Sequence, residues 1–114
     1  MNSIASWVGA MAIGVLAAFH PQNSQAEEFT GTDFLQRSSQ DQRGYVSTQL
    51  VMASSIAARI KPDLADCIGN EFFDGTGMSD KGFEKVMQRV REFQDFHPSS
   101  VLVIVIESAC GTFN

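Results

Sequence analysis

The sequence predicts an all-α fold, a small four-helix domain that is closed by one disulfide and follows a cleaved signal peptide. Three observations lead to this prediction. The chain of 114 residues begins with an uncharged apolar run, and it contains only two cysteines. Two later segments carry apolar residues at alternating steps of three and four, which is the spacing of one helix face. A chain of this length holds one small domain and is too short for a Rossmann fold or a barrel.

The first segment has the form of a secretory signal peptide, with an apolar run over residues 4–19 and a polar stretch after it. Ser24 and Ala26 supply the small side chains that signal peptidase needs near the cut, so we expect cleavage between Ala26 and Glu27. Residues 1–26 would be the signal peptide and residues 27–114 a single periplasmic or secreted domain. The alternative is a membrane anchor, but the run is shorter than the roughly twenty apolar residues that span a bilayer.

The domain that remains after cleavage is acidic. All charged side chains follow Ala26, and the formal net charge is -5. Phosphate backbones and anionic lipids do not attract an acidic surface. We therefore expect no nucleic-acid partner, and no membrane contact once the signal is removed.

The sequence pattern predicts two helices in the first half of the domain. Thr30–Asp33 has the side chains of a helix N-cap before an apolar pair, which predicts a short helix from about Thr32 to Ser39. A second helix is predicted over Asp41–Ile60. Its apolar seam consists of Val46, Leu50, Ala53, Ala57 and Ile60, widened by Tyr45, Met52 and Ile56. Pro62 ends this helix, because proline disfavours the helical conformation in the residue before it.

The next segment, between Pro62 and Met78, lacks helical periodicity. Asp74–Gly77 carries two glycines in three positions and indicates a flexible connection. Ser79 is the expected N-cap of a third helix that runs to about Phe96, with an apolar face of Phe83, Val86, Met87, Val90 and Phe93. His97-Pro98 breaks that helix.

The final apolar run, Val101–Ile106, is mostly β-branched, and propensity alone favours a buried strand. A single strand would have no partner in this chain, and an unpaired backbone in a core is costly. Pro98 suits the start of a helix and Gly111 suits its end. We therefore predict a wholly buried helix over Ser99–Cys110.

Cys67 and Cys110 are expected to form the disulfide, with two reduced thiols as the alternative if the chain is not exported. In the chain-entropy model, closing a loop of this length contributes about 4 kcal/mol. A metal site is not expected, because the two cysteines and His97 make at most three ligands and none lies at metal-ligand spacing. No cofactor motif is present either.

No catalytic constellation is predicted, and we expect the protein not to be an enzyme. A hydrolase needs a nucleophile next to a base. His97 is the only histidine after Ala26, and we expect it to interact with the last carbonyls of the preceding helix. The segment that begins at Asp74 faintly resembles a calcium loop, but its twelfth position is Lys85, where an EF-hand requires Glu.

One candidate partner-binding surface stands out in the aperiodic segment. Phe72 and Phe73 lie beside two glycines, where an apolar pair is expected to stay partly exposed, with Glu71 and Asp74 supplying charge around it. These four residues are the predicted contact set for another protein.

Several short strings occur in an order that is typical of one known family. They are Thr30-Gly31-Thr32-Asp33-Phe34-Leu35, Gly44-Tyr45-Val46, Cys67, Phe96-His97-Pro98 and Ala109-Cys110. In this pattern the chain resembles the Rap/Tai family, small exported immunity proteins against peptidoglycan amidases that type VI secretion injects. The resemblance implies a periplasmic, non-enzymatic protein that inhibits an amidase effector by occluding its active site. The segment Cys67–Met78 would be the inserting element.

Two further functions remain open. The chain also resembles small periplasmic acid-stress chaperones, which share an Asp-Phe-Leu start, a single disulfide and a late Ala-Cys. That resemblance implies an acid-activated chaperone, in which carboxylate protonation loosens a dimer and exposes apolar surface to clients. The third alternative is an exported structural protein. The expected partner is another protein, either an amidase effector or a second copy in a homodimer.

Overall fold

The computed structural model describes residues 28–114. The predicted signal peptide and its cleavage between Ala26 and Glu27 lie outside the described residues. The described part of the chain is mostly helical, with five α-helices and one short hairpin. In chain order the elements are α1 Gly31–Leu35, α2 Ser39–Ile60, α3 Pro62–Phe72, β1 Phe73–Asp74, β2 Gly77–Met78, α4 Asp80–Glu92 and α5 Pro98–Cys110.

Side-chain caps set the starts of the first two helices. Thr30 caps α1 in a reciprocal capping box with Asp33. The predicted end of this helix at Ser39 is wrong, because α1 stops at Leu35 and Ser38 already caps the next helix. The Ser38 hydroxyl accepts a hydrogen bond from the Asp41 backbone N–H at 3.1 Å.

The prediction of four helices is also wrong, because the segment after Pro62 is helical. Pro62 stands at the first position of α3, where its missing N–H leaves no bond unmade. It therefore ends α2, as expected, and begins α3. Leu64, Ile68 and Phe72 recur at steps of four along α3 and are all buried. The glycine-rich connection that follows is an antiparallel hairpin.

The last two helices are present as predicted, although their bounds differ. Ser79 caps α4, but this helix ends at Glu92 rather than Phe96, because the Phe93 N–H already closes the last turn onto Arg89. The apolar run is a helix, as predicted, and not a strand. The expectation that it is wholly buried is wrong, because Val103 and Ile104 are each 44% exposed. Gly111 follows α5 with a φ of 97°, a left-handed conformation that glycine adopts without a steric penalty.

One hydrophobic core holds all five helices together, and each helix contributes buried side chains to it. They are Phe34, Val46, Leu50, Ala57, Leu64, Ile68, Phe72, Val86, Met87, Val90, Val101, Leu102, Val105 and Ile106. The predicted disulfide is confirmed. Cys67 and Cys110 are bonded with a Cα–Cα distance of 5.7 Å, which ties the middle of α3 to the end of α5.

Candidate protein-binding surfaces

The hairpin between α3 and α4 forms the first candidate surface. Phe73 pairs with Met78, and Asp74 pairs with Gly77, so only two residues remain in the turn. Gly77 has a φ of 129°, which a residue with a side chain rarely adopts. Because the hairpin leaves α3 directly and enters α4 one residue later, a helix fixes each of its ends.

The exposed tip of the hairpin is held by its own carboxylate. Asp74 Oδ1 accepts hydrogen bonds from the Thr76 backbone N–H at 2.8 Å and from the Thr76 hydroxyl at 2.6 Å. The hydroxyl bond is the largest cause of a lowered Asp74 pKa, and the backbone bond adds to it. The turn therefore presents an ionised carboxylate in a defined position.

The base of the hairpin is bridged by an ion pair between two helices. Lys85 Nζ of α4 lies 2.5 Å from Glu71 Oε2 of α3 and 5.7 Å from the centre of the Phe72 ring. The hydrogen bond and the charge of Lys85 lower the pKa of Glu71, with a smaller contribution from Lys81. Beside this pair opens a cavity of about 320 Å³, which Gln88, Arg89, Val105, Ser108 and Ala109 also line.

A close backbone approach completes the support of the hairpin. Gly82 of α4 is buried against the backbone of Phe72, the last residue of α3. The Phe72 carbonyl oxygen also accepts from the Ser79 backbone N–H at 3.0 Å. The two helices therefore meet without a side chain between them at the point where the hairpin leaves α3.

The four predicted contact residues do not all lie on the surface. Glu71 and Phe73 are half-buried and Asp74 is exposed. The expectation that Phe72 stays partly exposed is wrong, since its exposure is 0%. Phe72 continues the buried face of α3, whereas Phe73 follows the end of the helix, so the structure separates the two neighbours.

An apolar groove between α2 and α5 forms the second candidate surface. Hydrogen bonds join the helices at both ends. The hydroxyl oxygens of Tyr45 and Ser99 lie 2.7 Å apart, and Lys61 Nζ donates to the Thr112 carbonyl oxygen at 3.0 Å. Between these two links the groove has a volume of about 310 Å³. It is lined by Gln49, Met52, Ala53, Ile56, Ser99, Leu102, Val103, Ile106 and Phe113.

The predicted core face of α2 is partly wrong, because three of its apolar side chains are exposed. Met52 is 55% exposed, Ile56 53% and Ile60 60%, although the sequence places all three in the buried seam or at its border. Val103 on the facing helix is 44% exposed. The apolar stripe of α2 is wider than the face that the neighbouring helices cover. The sequence pattern shows which residues belong to the stripe but not which of them are covered.

His97 has a different position from the predicted one. It is the N-cap of α5, and its Nδ1 accepts a hydrogen bond from the Ser99 backbone N–H at 3.1 Å. Its ring also packs against Phe29, with 5.6 Å between the ring centres. Both cysteines are in the disulfide. Within residues 28–114, His, Cys, Asp and Glu form no cluster of three that could hold a metal ion.

The comparisons with known proteins add no relative. No protein-family model, curated protein or solved structure matches the chain. In the part of the chain that the structure describes, no helix is both long and apolar enough to cross a membrane.

Proposed function

We propose that this chain is an exported, non-enzymatic binding protein that inhibits a peptidoglycan amidase by covering its active-site cleft. The observation that carries the proposal is the hairpin Phe73–Met78, which presents an exposed, ionised turn and is supported by a helix on each side. The resemblance to the Rap/Tai family supplies the class of target. The disulfide agrees with a periplasmic location, because such bonds persist in oxidising compartments.

Occlusion of a cleft needs a rigid element more than it needs chemistry. An element that is already ordered loses little conformational freedom on binding, so more of its contact energy remains as affinity. The hairpin satisfies this condition through the Asp74 turn, the Glu71–Lys85 ion pair and the close approach of Gly82 to Phe72. The Asp74 carboxylate at the tip can accept hydrogen bonds from donors that line a cleft.

The direct test is inhibition of a peptidoglycan amidase encoded next to this gene. We expect the wild-type chain to bind that amidase and to stop its hydrolysis of purified peptidoglycan. Asp74→Lys is expected to weaken binding at least tenfold, since loss of a hot-spot contact costs about 2 kcal/mol or more and a tenfold change corresponds to about 1.4 kcal/mol. Glu107→Lys on α5 is the matched control, because it changes the net charge equally at an exposed position outside the hairpin.

Two results would contradict the proposal. One is an amidase that the wild-type chain neither binds nor inhibits. The other is equal loss of inhibition by the two variants, which would assign the effect to net charge rather than to the hairpin tip.

The apolar groove favours a second candidate function, the acid-activated chaperone. Exposed apolar surface of this kind is what binds unfolding proteins. The requirement is prevention of client aggregation at about pH 2.5, where carboxylates are protonated, and not at pH 7. Equal behaviour at the two pH values would remove this candidate, whereas the amidase assay would be unaffected.

A further inference from the structure

We propose that the cavity between α3, α4 and α5 binds a small ligand that ends in a carboxylate, of about the size of an acylated amino acid. The cavity opens beside the base of the hairpin, and its polar lining includes Glu71, Lys85 and Arg89. The inference concerns a small-molecule site. It therefore depends neither on the amidase target nor on the apolar groove.

Basic side chains are concentrated on one face of α4. Lys81, Lys85 and Arg89 recur at steps of four, so they follow one another along about 12 Å of the helix. Like charges at this spacing destabilise a helix. The whole chain has only eight Lys and Arg, and its net charge is -5. The row is therefore a local exception on an acidic protein, and two of its three members line the cavity.

The two lining cations keep donors for a ligand beyond those that their protein partners use. Lys85 Nζ donates to Glu71 Oε2 at 2.5 Å, and an ammonium group has further N–H donors. Arg89 lies 3.3 Å from Glu92, which is longer than the roughly 2.7–2.9 Å of a strong charge-assisted bond. Their side chains are 34% and 39% exposed. A ligand can therefore reach both cations, and solvent screens them less than it screens fully exposed charges.

The charge of the lining favours a carboxylate as the anion. Lys85 and Arg89 supply two positive charges and Glu71 one negative charge, which leaves a formal charge of +1. A carboxylate carries one negative charge near pH 7 and accepts the parallel hydrogen bonds that a guanidinium donates. A phosphate group brings close to two negative charges, which this lining does not balance on a chain that is already acidic.

The other lining residues define the rest of the ligand. Val105 and Ala109 of α5 present methyl groups, while Gln88 and Ser108 supply an amide and a hydroxyl. This combination suits a short apolar side chain next to one peptide-like group. The volume of about 320 Å³ lies at the lower end of the range of ligand cavities, roughly 300–1,000 Å³. The ligand is therefore small.

Links between the helices fix the walls of the cavity. The disulfide joins Cys67 of α3 to Cys110, the neighbour of Ala109 on α5. The Glu71–Lys85 pair joins α3 to α4. A site that is already ordered loses little conformational freedom on binding. Because the ligand is small and the charges stay partly exposed, we expect a dissociation constant on the order of 1 mM.

The test is an NMR titration of the isotope-labelled chain, produced from its full coding sequence, with N-acetylalanine as the probe. We expect saturable shifts of the Gln88 side-chain amide and of the backbone signals of Ser108 and Ala109. The uncharged amide of N-acetylalanine has the same shape without the negative charge. It is expected to bind at least about tenfold more weakly to the unaltered protein.

Two variants separate the site from the net charge of the protein. Arg89→Gln is expected to weaken the binding of N-acetylalanine at least about tenfold, because it removes the guanidinium from the cavity. Arg91→Gln is the matched control. Arg91 lies on the same helix and also pairs with a glutamate, Glu84, but it does not line the cavity. Each variant removes one positive charge, and circular dichroism checks that each is folded.

Four results would overturn the proposal. The first is the absence of saturable shifts at concentrations of N-acetylalanine well above the expected dissociation constant. The second is equal binding of the acid and its amide. The third is equal weakening by Arg89→Gln and Arg91→Gln in folded protein, which would assign the effect to net charge. The fourth is tighter binding of inorganic phosphate than of N-acetylalanine, which would contradict the charge balance of the cavity.

Discussion

Replacing Gly82 with alanine is expected to destabilise the protein, although alanine is the better helix former. An ideal Cβ at this position would lie 2.6 Å from both the Cα and the carbonyl oxygen of Phe72, and 2.9 Å from its carbonyl carbon. Ordinary van der Waals contact begins at 3.4 Å. The neighbour cannot rotate away, because it is backbone and because the Phe72 side chain is buried in the core.

The magnitude is the difference between two opposing effects. Alanine in place of glycine within a helix stabilises by about 1 kcal/mol. Forcing α4 away from α3 carries an overpacking cost of about 1–3 kcal/mol, and the Ser79–Phe72 backbone hydrogen bond weakens, at a further cost of about 1 kcal/mol. The net loss of unfolding free energy is then about 1–3 kcal/mol. For a domain of this size it lowers the melting temperature by roughly 5–15 °C.

Gly44→Ala is the matched control for this prediction. Gly44 lies in α2, and a Cβ there would meet nothing within 4 Å, so only the helix-forming effect remains. We expect Gly44→Ala to raise the unfolding free energy by about 0.5–1 kcal/mol. Urea unfolding followed by circular dichroism, with the disulfide intact, measures both variants. A Gly82→Ala variant that is as stable as Gly44→Ala would refute the reasoning from backbone contact.

Two further predictions concern the disulfide and the ion pair at the base of the hairpin. Cys67 and Cys110 close a loop with a sequence separation of 43, so replacing both with serine is expected to lower the unfolding free energy by up to about 4 kcal/mol in denaturant experiments; a change below about 1 kcal/mol would contradict it. Lys85→Gln is expected to return the lowered pKa of Glu71 to its ordinary range, as followed by NMR of the carboxyl carbon. The pKa of Glu71 is lower in the folded state than in the unfolded state. The Glu71–Lys85 pair therefore stabilises the protein at pH values above the unfolded-state pKa, and this stabilisation is lost as the pH falls through the folded-state pKa. An unchanged Glu71 titration in Lys85→Gln would show that this pair is not the cause.

The sequence predicts those parts of the fold that local chemistry controls. Pro62 indicates a helix boundary and Ser79 the start of α4, and the lack of a strand partner favours a helix over a strand for Ser99–Cys110. The predicted fold lacks α3, because Pro62 indicates the end of a helix, whereas proline also suits the first position of a new helix. The recurrence of Leu64, Ile68 and Phe72 at steps of four is the pattern that indicates this helix.

The groove could not be predicted from the sequence for a different reason. Periodicity shows which residues of α2 share a face, but coverage of that face depends on how far α5 lies from it. The two helices are joined by a bond between the Tyr45 and Ser99 hydroxyls and by a bond from Lys61 Nζ to the Thr112 carbonyl oxygen, and each bond links residues more than fifty positions apart. Met52 and Ile56 therefore have the same pattern as core residues and a different environment.

The two candidate surfaces are supported by one framework and do not compete for residues. The disulfide ties α3, whose end carries the hairpin, to α5, whose side forms a wall of the groove. The residues of the hairpin do not line the groove. Occupation of the groove and contact at the hairpin tip therefore involve separate side chains of the same disulfide-linked framework.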